Sequence, residues 1–70
     1  MMPLIMAKRD EIHVISAIRG KNESKRFLES MRFVVGSNIT VVTEFNGNLI
    51  VNIKNTRVAI SKSMAAKIFV

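Results

Sequence analysis

FLESMRFVVGSNITVV, Phe27 to Val42, decides how this chain folds. It opens with apolar residues at helical spacing and closes with the alternation of a β-strand. The change falls around Arg32 to Gly36, with no polar linker between. A short helix must therefore be held tightly against a β-unit. From Asn22 to Met31, Phe27, Leu28 and Met31 fall at i, i+1 and i+4 and give one apolar face. Lys25, Arg26, Glu29 and Ser30 take the other. Asn22 is the expected N-cap, with Glu23 suited to the positive end of the helix dipole. Such a helix is too short to be stable alone, so its apolar face must dock onto the sheet.

Downstream, Ile39, Val41, Thr43 and Phe45 share one face of a predicted strand over Asn38 to Phe45. Asn46-Gly47 follows. An Asn-Gly pair between alternating runs signals a hairpin, because both residues tolerate the positive φ of a type I′ turn. Leu49, Val51 and Ile53 form the inner face of the return strand, and Asn55 and Thr56 make a second turn. Val58 and Ile60 mark the next strand. Ser61 or Ser63 caps a helical turn over Met64 to Lys67, and Ile68 to Val70 closes the chain as a strand. Upstream, Glu11 to Ile18 reads EIHVISAI, β-branched and apolar. Ile12 and Val14 are expected inward, with Glu11 and His13 outward. The alternation falters at Ile15, which suggests a bulge or a strand buried on both faces. Gly20 to Asn22 ends that strand.

The fold class that follows is mainly β. About five short strands form a small barrel, with one short helix after the first strand and a helical turn before the last. Phe27, Leu28, Met31 and Phe33 are expected to cover an open end of it as a lid. Residues 1 to 70 make one domain, whose core must use most of the apolar residues that form 49% of the chain.

Composition narrows the function. There is no Cys, which removes disulfides, thiolate metal sites and a Cys nucleophile. MMPLIM, at the start, is too short and too poorly flanked for a signal peptide. No apolar run reaches the roughly 18 residues of a membrane span, so no membrane insertion is expected and the protein is expected in the cytoplasm. Eleven Lys and Arg against five Asp and Glu give a net charge of +6. That favours polyanions, acidic protein surfaces or an anionic membrane face without choosing among them.

Catalytic chemistry is poorly supplied. His13 is the lone histidine, and no Ser, His and Asp stand in a triad pattern. The glycines, at 20, 36 and 47, form no phosphate loop. No cofactor is required. One metal candidate exists: Glu11 and His13 at i and i+2, with Asp10 adjacent, could hold a divalent transition metal. A closed site needs about four ligands, so others must come from elsewhere in the fold or from a second copy in a homo-oligomer. The charge and the barrel raise nucleic acid as a partner, but single-strand binders stack bases on exposed aromatic rings. Tyr and Trp are absent, and Phe27, Phe33, Phe45 and Phe69 all stand at expected core positions. Nucleic acid is therefore disfavoured as a partner.

The run KRFLESMRFVVGSNITVV, Lys25 to Val42, resembles the most recognisable segment of the FeoA family. These are small cytoplasmic proteins that accompany the ferrous iron transporter FeoB. Arg26, Leu28, Met31, Phe33, Gly36, Ile39 and Val41 carry the likeness. Arg57, Ala59, Ile60, Ala66, Ile68 and Val70 extend it to the end of the chain. Family members often have Gly where this chain has Asp10 and Arg32, and Pro where it has Val35. The resemblance implies an SH3-like barrel without catalytic activity that supports ferrous iron uptake by contacting the cytoplasmic part of FeoB. The same kind of domain is fused to metal-dependent repressors as an interaction module. Arg26, Glu29 and Arg32, on the polar side of the helix and at its end, are the candidate partner-binding residues. The competing functions are a small barrel that binds a transition metal and a basic barrel that binds nucleic acid.

Overall fold

The structure is a computed structural model that describes residues Met1 to Val70. Two antiparallel sheets wrap one apolar core. The larger has the order β1-β3-β4-β5, with β1 at Ile12–Val14, β3 at Asn38–Phe45, β4 at Asn48–Ile53 and β5 at Thr56–Ser61. The smaller pairs β2, Ala17–Ile18, with β6, Ile68–Phe69. Helix α1, Asn22–Ser30, follows β2, and one turn of helix, α2, Lys62–Ala65, precedes β6. This is the small mainly β barrel read from the sequence, with one strand more than expected.

The extra strand comes from EIHVISAI, which splits in two. His13 pairs with Ile39 in the large sheet, whereas Ala17 pairs with Phe69 in the small one. The chain changes sheets at Ile15 and Ser16. Ile15 donates to the Ser37 carbonyl at 2.9 Å, and Ser16 donates to the Phe69 carbonyl at 2.7 Å. Ile15 is buried, and this sets the parity of β1: the odd positions face the core. Ile12 and Val14 therefore point outward, against the sequence expectation, and Ile12 is 74% exposed. His13 takes the inner side at the sheet edge and is half-buried.

A second reversal lies in β3. The register with β4 shifts between Val41 and Thr43, so β3 holds one residue more than its partner there. Such a bulge moves the following side chains to the opposite face. Ile39 and Val41 stay inward, while Phe45 is 65% exposed rather than buried. The hairpin beyond it is as expected. Asn46 and Gly47 have φ of 51° and 77°, the two positive values of a type I′ turn. The next turn sits one residue earlier than expected, on Lys54 and Asn55, again with both φ positive. Ser61 caps α2, its Oγ accepting from the Met64 N–H at 3.2 Å.

The start of the chain, given no structure by its sequence, closes the barrel. Met2 and Val70 exchange two backbone hydrogen bonds of 2.8 Å, and Pro3 bridges to Phe69. A 3-10 turn over Leu4–Met6 then drives Leu4 fully into the core. Twelve apolar residues make that core, and no polar or charged residue is buried.

Candidate partner-binding surface

Helix α1 starts without a side-chain cap. Lys21, not Asn22, is the N-cap residue. Its other end is built more firmly. Phe33 donates its N–H to the Leu28 carbonyl at 2.9 Å, and Arg32 donates to the Glu29 carbonyl at 2.8 Å. These are the paired bonds of a Schellman stop, and Arg32 holds the left-handed position between them at φ 71°. The stop turns the chain so that Phe33 follows Leu28 into the core. Both are fully buried, and Met31 packs half-buried beside them. The lid therefore exists with three of its four expected members. Phe27 is 47% exposed, because a helix this short offers the sheet only a narrow stripe, filled by Leu28 and Met31.

Arg26, Glu29 and Arg32 all stand exposed. None is in an ion pair, since the one such pair in the protein joins Lys62 to Glu44 at 2.6 Å. Beside them runs a shallow, mostly apolar cleft lined by Ile18, Phe33, Val34 and Val35, with Lys25 and Glu29 at its rim. Val35, 62% exposed, adds solvent-exposed apolar surface to this side of the molecule. The sequence reading found the charged residues but not the cleft. Ile18 and Val34 lie on separate segments, and only the Schellman stop and β2 bring them together. Charged groups around a small apolar patch form a surface suited to holding another protein.

The candidate metal residues are arranged differently. Asp10 precedes β1 in a left-handed conformation, φ 63°, with its N–H donated to the Val41 carbonyl at 2.9 Å. Glu11 lies outside the strand and is exposed. The His13 ring turns back to the chain, with Nε2 3.4 Å from the Lys8 carbonyl oxygen. Nowhere does the fold gather three His, Cys, Asp or Glu side chains at metal-binding separation. Asp10 and Arg32, where family members often carry Gly, keep the left-handed backbone that Gly would supply.

The phenylalanines also differ from expectation. Phe33 is in the core, but Phe27 and Phe45 reach solvent, and Phe69 lies under the Arg19 guanidinium with 4.6 Å from its carbon to the ring centre. The sequence-based ground against a stacking surface therefore fails for two rings, which stand on separate elements, α1 and the end of β3.

The chain matches the FeoA domain over residues 2–70. It is 33% identical over its whole length to a Methanocaldococcus jannaschii protein provisionally named Fe(2+) transport protein A, covering 85% of that protein. Among solved structures, the iron uptake regulatory protein FeoA superposes with a TM-score of 0.85 at 27% identity, across 96% of this chain and 89% of that one. The zinc complex of Stenotrophomonas maltophilia FeoA, described as a procaryotic SH3 domain protein, superposes with a TM-score of 0.82 at 21% identity, across 99% of this chain and 88% of that one. The fold is accordingly SH3-like, and this chain belongs to the FeoA family.

Proposed function

We propose that this protein is a non-enzymatic accessory factor of ferrous iron uptake that acts in the cytoplasm by contacting the cytoplasmic part of a FeoB-type membrane GTPase. The observation that carries the reading is the match to the FeoA domain over residues 2–70, together with a relative named for Fe(2+) transport. The physical character of the chain supports it. No helix is long and apolar enough to cross a membrane, and an accessory factor that works beside a membrane transporter needs none. The best-formed surface for that partner is the outer side of α1. Arg26 and Arg32 attract carboxylates, Glu29 fixes the register, and the cleft beside them takes an apolar side chain.

The test is capture of a purified cytoplasmic FeoB fragment by this protein, paired with ferrous iron uptake in cells lacking it. Binding at micromolar concentration and an uptake defect restored by the wild-type chain support the reading. Uptake unchanged by the deletion would count decisively against it. Direct metal binding has less behind it: zinc accompanies the Stenotrophomonas maltophilia relative, but Asp10, Glu11 and His13 do not converge here.

A further inference from the structure

The free side of β5 is an open sheet edge. β5 pairs only with β4 and ends the four-stranded sheet. The two-residue turn at Lys54 and Asn55 makes Ile53 and Thr56 a hydrogen-bonded pair, and alternation then makes Val51 with Val58 and Leu49 with Ile60 bonded pairs. Arg57 and Ala59, between them, turn their N–H and C=O groups away from β4. Neither residue's backbone enters any turn, loop or cap hydrogen bond. Both residues are solvent-exposed, so these groups are within reach of another chain.

Natural sheets usually blunt such an edge with Pro, a bulge or several charges. β5 has no Pro, and its register with β4 runs unbroken from Thr56 to Ser61. Its midpoint is the small side chain of Ala59. The charges nearby are one-sided. Lys54 and Arg57 are exposed and in no ion pair, Arg57 Nε donating only to Asn52 Oδ1 at 3.4 Å; Lys62 is paired with Glu44, and neither β5 nor its preceding turn contains a carboxylate. A second copy is a poor occupant, since it would set Lys54 and Arg57 against the same residues on a chain that also carries a charge of +6.

We propose that the free edge of β5 accepts an extended, acidic segment of a partner protein as an added strand of the sheet. The segment's backbone bonds to Arg57 and Ala59, and its alternate carboxylates meet Arg57 and Lys54. This surface is separate from α1 and does not depend on which protein α1 meets.

The probe is a capped peptide of alternating glutamate and valine, titrated into the full-length protein at low salt and followed by amide NMR. The Arg57 and Ala59 amides are expected to exchange rapidly in the free protein and to slow by about tenfold or more when the peptide binds. Ala59→Pro removes an N–H that the fold does not use, so melting is retained and binding is lost. Arg57→Glu is expected to weaken binding by about fivefold. If Ala59→Pro does not fold, the same peptide N-methylated at alternate residues replaces it and must fail to bind the wild-type protein. Equal binding by Ala59→Pro or by the methylated peptide overturns the proposal. So do shifts confined to α1, equal binding of a lysine-valine peptide, or a dimer that Ala59→Pro abolishes.

Discussion

The backbone N–H of Phe33 meets the carbonyl of Leu28 at 2.9 Å, and the two side chains lie side by side in the core with no exposure to solvent. That one relationship ends α1, turns the chain and seals the barrel. The residue between them that makes the turn possible is Arg32, in a conformation where Gly is the easier choice. A stability cost and an exposed cation therefore sit at the same position, on the surface assigned to the partner.

Leu28→Ala removes the only fully buried side chain of α1. The expected loss is roughly 2–5 kcal/mol, enough to unfold much of so small a domain. Thermal or urea melting measures it. A folded variant with wild-type melting would show that the helix does not seal the core.

Arg32→Gly separates fold from function. Gly relieves the left-handed strain but gains freedom in the unfolded chain, so stability is expected to stay level or rise by up to about 1 kcal/mol. Binding of the FeoB fragment is expected to fall, because the guanidinium is lost. A clear drop in melting temperature would mean that the Arg32 side chain supports the fold.

Gly47→Val tests the hairpin register. No atom stands within 4 Å of where a Cβ would lie, so the cost is backbone strain alone. At φ 77° a β-branched residue should destabilise the domain by about 1 kcal/mol or more. Unchanged melting would place the turn elsewhere.

His13→Ala addresses metal. With no three ligating side chains brought together, zinc titrations of wild type and variant are expected to give the same isotherm. Tight binding in the wild type that disappears in the variant would restore the site at Asp10, Glu11 and His13.

Much of this was legible in the sequence where the signal is local. Asn46-Gly47 specified its turn, and Leu28 and Met31 the buried side of α1; the cap of α2 was narrowed to Ser61 or Ser63, and the structure takes Ser61, starting the helical turn at Lys62 rather than Met64. The two misread strand faces share one cause: strand parity was taken from the apolar count within a segment. In β1 two apolar residues at even positions outvoted Ile15, yet Ile15 reaches the core because the chain changes sheets there. In β3 a single bulged residue turned Phe45 outward, and no residue type announces that bulge. The charged half of the candidate surface was readable as the polar side of a helix. Its apolar half was not, since Ile18 and Val35 are neighbours only once the barrel has closed.

Affinity for the purified cytoplasmic FeoB fragment, measured for wild type and for Arg26→Glu with Arg32→Glu, bears most directly on the proposed role. With both proteins melting alike, micromolar binding by the wild type and at least about tenfold weaker binding by the double variant are expected, the charge reversal setting like charges against the partner. Equal affinity would take the contact away from α1, and no binding by the wild-type protein would contradict the accessory role itself.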